Sequence, residues 1–467
     1  MIERIIIFGA SGDLTRRLLM PGLAQLAEEK ALPPGLKVVG SASPEWSTED
    51  FREQMRTGLA DHASAVSAQA RDRLLGMLSY APADVTNPDD VRRLVGERCR
   101  NTLIYLALPT GLLESVLTAL ASAGLGATDA VAIEKPFGSD LESARHLNEL
   151  LRTRMPQPTI FRIDHFLSDD LVRQVIALRF GNRVFEPTWN ATQVERVDIS
   201  WMESLALEGR ASYYDRAGAL KDMVQNHLME ALALVLMAEP ARFDANSIRD
   251  MRVEALRTVA TPSVEWVRGN TVRARYTSGR IGSRQVPSYV DEPGVDPARS
   301  TETYASVTLE VESDRWEGVP FTLRSGKAMA ADHAEIAVHF RPLRRRIMQH
   351  YPGIAPNVFR LGLMEPYITL TAMTIGAARE GRQHELELHA AEPRRTPYAN
   401  LLLEMLRGDA TLFIRGDEAE ESWRIVDPVA KAWAAGEVPL KSYPAGGEPP
   451  EVSPPRPGSA GSRAARS

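Results

Sequence analysis

Residues 4–14 read Arg4-Ile5-Ile6-Ile7-Phe8-Gly9-Ala10-Ser11-Gly12-Asp13-Leu14. An apolar run bounded by a glycine turn predicts a short strand buried on both faces, as in a parallel sheet. The apolar residues that follow, Leu18, Leu19, Leu23 and Leu26, recur at helical spacing and predict a helix over about residues 14–30. Strand, glycine turn and helix in that order make a phosphate-binding arrangement. Gly9 and Gly12 let the backbone approach a pyrophosphate, and the helix N-terminus supplies N–H groups and a positive dipole end. The spacing is GxxG rather than GxGxxG, so the same residues also suit a tight strand-to-helix turn without a ligand.

Working outward, residues 37–40, 101–108 and 130–134 predict further strands with helices between them. This alternation predicts an α/β Rossmann-like, doubly wound N-terminal domain over residues 1–170. Helices are then expected at 171–180 and 219–237. Period-two alternation at 195–201, 251–258, 271–277, 303–311 and 335–341 predicts strands. Residues 171–444 are therefore expected to form an α+β C-terminal domain with a large, mainly antiparallel sheet. Residues 445–467 are rich in Pro, Gly, Ser, Ala and Arg and predict a disordered tail.

The length of 467 residues supports this division, because single cores stop growing near ~250–300 residues. A net charge of −6 argues against a nucleic-acid partner. No apolar run reaches the roughly 18 residues of a membrane span. The N-terminus enters a strand directly and does not read as a signal peptide. A single cysteine, Cys99, excludes an intramolecular disulfide and suits a cytoplasmic protein. Of 55 basic residues only 7 are lysines: Lys30, Lys37, Lys135, Lys221, Lys327, Lys431 and Lys441. Where a generic cation suffices this chain uses Arg, so a retained or missing Lys is informative.

Three stretches carry chemistry. They are Glu134-Lys135-Pro136-Phe137-Gly138, then Arg162-Ile163-Asp164-His165-Phe166-Leu167, then Asp222-Met223-Val224-Gln225-Asn226-His227. Oxidising a carbinol by hydride transfer needs a base for the hydroxyl proton, and His is the usual choice. His227 sits among Met223, Val224, Leu228 and Leu232, which also suits a packed core histidine. A carboxylate on the other ring nitrogen would fix its tautomer, and Asp164 is a candidate.

Together with Gly9–Leu14, Glu208-Gly209-Arg210, Tyr213-Tyr214-Asp215, Val319-Pro320-Phe321 and Ser325-Gly326-Lys327, these motifs resemble the glucose-6-phosphate dehydrogenase family from about residue 5 to Pro444. The resemblance implies oxidation of a hexopyranose to its 1,5-lactone, with NADP or NAD as cofactor. It implies His227 as general base at the sugar C1 hydroxyl, Asp164 as its partner, and Lys135 between substrate and nicotinamide. Glu203, Asp222 and Lys327 are implied to bind sugar hydroxyls, with His165 at the C6 end. Gly9, Ser11, Gly12, Asp13, Leu14, Ser43, Pro109 and Lys135 form the implied cofactor set. Association into a homodimer through the large sheet is likewise implied, and no metal is.

The sequence departs from the family at the phosphate end. The family's RIDHYLGKE is RIDHFLSDD here, so Phe166 lacks the Tyr hydroxyl and Asp169 replaces a Lys. Leu18 replaces the Lys that ends GDLxxRK, and Asp332 stands where many members carry a second Lys after Lys327. Two unit charges ~4 Å apart interact by about 4 kcal/mol at an effective dielectric near 20, and a Lys-to-Asp change reverses the sign. The substrate expected from these residues is a non-phosphorylated or amino hexose. An ordinary glucose-6-phosphate 1-dehydrogenase with a relocated phosphate site is the alternative, with Arg173 compensating. A non-catalytic paralogue acting as a regulatory or assembly partner is a third reading. Ser43-Pro44 stands where the family carries an Arg facing the 2′-phosphate, with Arg16 and Arg17 as the nearest substitutes, so NAD and NADP stay open.

Overall fold

The structure is a computed structural model that describes residues 2–96, 100–156, 159–168, 170–209, 211–343, 354–364, 367–376, 380–388 and 394–451. Asp169, Cys99, Arg210 and tail residues 452–467 lie outside these, as does the side chain of Arg173. Two compact units are present. One comprises Met1–Asn182, Ala233–Leu256 and Ala391–Trp423, the other Arg183–Leu232, Arg257–Ala390 and Arg424–Ser467.

The first unit is built on six strands: β1 (Arg4–Phe8), β2 (Lys37–Ser41), β3 (Leu78–Tyr80), β4 (Thr102–Leu106), β5 (Ala130–Glu134) and β6 (Thr159–Ile163). All pair in parallel, in the order β3-β2-β1-β4-β5-β6. This is the 3-2-1-4-5-6 order of a doubly wound sheet, in which the direction of strand addition reverses between β1 and β4. Ile5, Ile6, Ile7 and Phe8 are buried, as a central parallel strand requires. Gly9, at the end of β1, has φ +80°, and a Cβ there would lie 2.0 Å from the carbonyl oxygen of Ala107 just past β4. The turn after β1 can lie this close to the end of β4 only because residue 9 carries no side chain.

The second unit holds a nine-stranded sheet. Its strands are β7 (Val194–Met202), β8 (Thr271–Thr277), β11 (Tyr304–Leu309), β12 (Phe321–Gly326), β13 (His333–Phe340), β14 (Val358–Gly362), β15 (Ile368–Ile375), β16 (Gly381–Leu388) and β17 (Leu440–Pro444). A small hairpin, β9 (Gly279–Ile281) with β10 (Arg284–Val286), stands apart. The order is β16-β15-β14-β13-β7-β12-β11-β8-β17. Only β7–β12 and β8–β17 pair in parallel. Tyr276, Tyr289, Tyr304 and Tyr443 are buried together in one cluster on this sheet.

Two sequence expectations need correction. Residues 251–258 were expected as a strand and are instead the end of the helix Ala245–Arg257. Ile248, Arg252, Val253, Ala255 and Leu256 are its buried positions, a helical spacing that the alternating MRVEALR conceals. Arg252 is fully buried because it pairs with Glu418 at 2.7 Å. The expected helix at 219–237 is interrupted. Ala211–Ala219 kinks at Gly218 (φ +64°), Leu220–Leu228 follows with π-helical turns, and α-helix runs over Met229–Leu236. The first helix opens in the same way, π-helical over Thr15–Leu19 and then α-helical over Met20–Glu28. Widened turns of this kind occur often at functional sites.

Candidate active site

In the first unit the candidate residues gather at the C-terminal ends of the parallel strands. Gly9 and Ala10 donate their N–H groups to Ser41 O at 2.8 and 3.0 Å, and Gly12 N–H closes the turn on Gly9 O at 2.9 Å. These bonds fix the turn between β1 and the helix that follows it. Asp13 pairs with Arg16 at 3.2 Å and Arg17 at 3.9 Å, all three on the surface. Leu18 is exposed. Past β2, Tyr80 donates to Ala42 O at 3.1 Å or Pro44 O at 2.7 Å and so shapes the loop that exposes Ser43. Pro109 is exposed past β4, where its carbonyl accepts from Leu112 N–H.

β5 ends in Glu134 and Lys135. Glu134 accepts hydrogen bonds from Tyr105 and, at 3.3 Å, from Tyr398. Burial pushes its carboxyl up to about 7, against the hydroxyls and the Lys135 charge, which pull it down. Both tyrosine hydroxyls are pushed up in turn by burial and by that carboxylate. Tyr105 and Tyr398 carry no motif signal, and the sequence reading missed them. Asp164 follows β6 and is fully buried, accepting from Phe166 N–H at 3.1 Å. His165 is half-buried, its ring stacked on Tyr398 at 6.2 Å. Phe166 is buried, with 1% of its surface exposed. A ring so enclosed makes Phe166 part of the packing beneath His165.

In the second unit a parallel pairing makes the site. β7 and β12 run side by side in the same direction, so Glu203 and Lys327, one residue past each, emerge at the same sheet edge. Glu203 N–H donates to Gly326 O at 2.9 Å, and Lys327 Nζ lies 2.5 Å from Glu203 Oε2. The Lys327 ammonium also stands 5.3 Å from the ring centroid of Tyr214, a cation–π contact. Asp332 accepts from Ser204 N–H at 2.6 Å, so this carboxylate fastens the loop directly after Glu203.

The π-helical segment Leu220–Leu228 carries Asp222 and His227 and packs against β7 and β12. Tyr213 donates to Asp222; burial first, then that carboxylate, pushes the phenol up. His227 is buried, and its ring stacks on Trp201 at 6.1 Å with planes 26° apart. Asn226 Oδ1 accepts from His227 N–H at 2.7 Å. The arrangement offers an imidazole base in an apolar wall, a carboxylate with an attached phenol, and an ammonium–carboxylate pair able to bind vicinal hydroxyls.

Similarity to known proteins agrees with this chemistry. Residues 6–174 match the family domain described as glucose-6-phosphate dehydrogenase, NAD binding domain, and residues 176–454 match its C-terminal domain. Glucose-6-phosphate 1-dehydrogenase of Zymomonas mobilis is 35% identical over 463 residues, covering 95% of each chain. The enzyme of that name from Bacillus subtilis is 34% identical over 469 residues, covering 96% of this chain and 95% of its own. A solved glucose-6-phosphate dehydrogenase in complex with glucose 6-phosphate superposes with a TM-score of 0.86 at 29% identity, covering 96% of each chain. That from Mycobacterium avium gives 0.84 at 30% identity, covering 97% of this chain and 96% of its own. The strand order, the glycine turn after β1 and these likenesses over nearly the whole chain make it a member of the glucose-6-phosphate dehydrogenase family, an oxidoreductase that uses NADP or NAD.

Proposed function

We propose that this protein is a glucose-6-phosphate 1-dehydrogenase that oxidises C1 of glucose 6-phosphate to the 1,5-lactone. What carries the reading is the Glu203–Lys327 pair beside the segment bearing His227, in a chain similar from end to end to relatives named for that activity. It departs from the non-phosphorylated or amino hexose expected from the missing lysines. One of those arguments has lost its force, since Asp332 has a local reason to be an aspartate: it holds Ser204 N–H.

In this reading His227 takes the proton of the C1 hydroxyl. Its ring is held flat against Trp201, which limits its rotation. Asp164, fixed by Phe166 N–H, orients the imidazole and stabilises the imidazolium. Glu203 and Lys327 hold sugar hydroxyls as acceptor and donor, and Asp222 holds another. Lys135 orients the substrate toward the nicotinamide. The Gly9–Leu14 turn would hold the cofactor, which would supply the hydride acceptor. His165 lines the C6 end, and Arg173 supplies the cation that Asp169 does not. The enzyme works as a cytoplasmic homodimer formed through the nine-stranded sheet.

Leu18 and Phe166, apolar where the family has Lys and Tyr, favour a second reading in which the sugar is not phosphorylated. Steady-state kinetics on glucose, glucosamine and glucose 6-phosphate, each with NAD and NADP, decide between them. A kcat/KM for glucose 6-phosphate about a hundredfold above the others supports the main reading, the more so because charge-assisted contacts to phosphate are strong. Equal or better turnover of glucose or glucosamine supports the second. No reduced cofactor with any sugar, despite nucleotide binding, leaves the non-catalytic paralogue.

A further inference from the structure

The start of the His227 segment is built around a buried carboxylate. Gly218 has φ +64°, and a Cβ on it would lie 2.3 Å from Glu302 Oε1 and 2.7 Å from Glu302 Cδ. The carboxylate thus occupies the space a side chain at 218 would need. From there Glu302 Oε1 accepts from Leu220 N–H at 3.0 Å, and Glu302 O accepts from Ala219 N–H at 3.2 Å. The next residue turns to the other half of the site. Thr303 O accepts from Lys327 N–H at 2.9 Å, and the Thr303 hydroxyl shares a hydrogen bond with Tyr443 OH at 2.8 Å. Tyr443 OH is itself 2.7 Å from Lys327 O. Two adjacent residues therefore tie the segment bearing Asp222 and His227 to the strand end bearing Lys327.

We propose that Glu302 is a positioning residue that holds the base segment in register with the Glu203–Lys327 pair. This rests on the reading of His227 as the base. The charged groups facing Glu302 are Arg273 from β8 and Lys221 from the segment itself, and the Tyr214 hydroxyl faces it from the helix Ala211–Ala219. Burial nonetheless pushes its carboxyl up to about 7. The ionised form makes the stronger bond to Leu220 N–H, since charge-assisted hydrogen bonds are roughly twice as strong as neutral ones. Protonation loosens the start of the segment. Activity then falls toward acid as Glu302 takes up its proton.

Glu302→Gln tests this, because the amide keeps size and acceptor but cannot ionise. The expected result at pH 8 is a kcat lowered roughly tenfold, since small misplacements of a catalytic group are costly, with KM for the cofactor unchanged. The ratio of wild-type to variant kcat should shrink from about tenfold at pH 8 toward unity near pH 5, as the wild-type carboxyl takes up its proton. A purely structural role would lower the active fraction equally at both pH values. Glu302→Gln with wild-type kcat and a wild-type acid limb overturns the proposal. His227→Asn is measured in parallel. If it keeps wild-type kcat, the base reading fails and this proposal with it. If it is inactive while Glu302→Gln behaves as wild type, the proposal about Glu302 alone fails.

Discussion

Lys327 Nζ lies 2.5 Å from Glu203 Oε2, although 124 residues separate them. The parallel pairing of β7 with β12 brings both past the same sheet edge. Neither side chain is freely solvated, with side-chain exposures of 15% and 22%. Removing one leaves the other charge desolvated and without its counterion.

Lys327→Met and Glu203→Gln should each lower kcat/KM for the sugar by at least tenfold, with KM for the cofactor unaffected. The double variant should fall short of the product of the two losses by a coupling of roughly 1–3 kcal/mol, as neighbours in one network do. Additive losses would mean that the two side chains act separately. A double-mutant cycle on kcat/KM measures this.

His227→Asn should lower kcat by about 10²–10⁴-fold, the usual contribution of a positioned base. Asp164→Asn should lower it as well if, as proposed, Asp164 orients the imidazole, and unchanged kcat would remove Asp164 from that role. Stopped-flow measurement of the first turnover separates these losses from slow product release.

Glu134→Gln should change how stability depends on pH. The ordinary carboxyl value is 4.5, and burial raises that of Glu134 in the folded protein to about 7. Between these values the folded chain keeps the proton and the unfolded chain gives it up, so stability falls as pH rises. The interval corresponds to roughly 3 kcal/mol at most, reached above about pH 7. The Gln variant lacks this loss while its carbonyl still accepts from Tyr105 and Tyr398. Its urea midpoint should gain on wild type from pH 5 to pH 8, and a constant difference would contradict the account.

Gly9→Ala should cost cofactor binding. The new methyl would lie 2.0 Å from Ala107 O, and φ is +80°. Relief requires the turn to move away from β4, which displaces the backbone proposed to approach the pyrophosphate. Isothermal titration with NAD and NADP should show affinity lowered at least tenfold for both. Unaltered affinity would mean that the pyrophosphate lies elsewhere.

Arg173→Glu should raise KM for glucose 6-phosphate by at least tenfold and leave any activity on glucose unchanged, since only the phosphate needs the cation. Equal effects on the two sugars would remove Arg173 from the phosphate site. The same kinetics with Asp169→Lys should show improved use of the phosphorylated substrate if Asp169 faces the phosphate.

Much of this protein was decided by local sequence. The apolar run before Gly9, the strand spacing of the first domain and the motif residues around Lys135, Asp164, His227 and Lys327 can be read in a line, because side-chain period and turn chemistry act over a few residues. Alternation misled at 251–258, where burial of Arg252 against Glu418 supports a helix that the local pattern disguises. Tertiary structure alone decided which distant residues share an edge. Lys327 meets Glu203 through strand pairing, Asp332 turns to Ser204 N–H, Tyr105 and Tyr398 enclose Glu134, and Glu302 fills the space left by Gly218. Each of these depends on register between segments far apart in sequence and on charges that become costly only once buried.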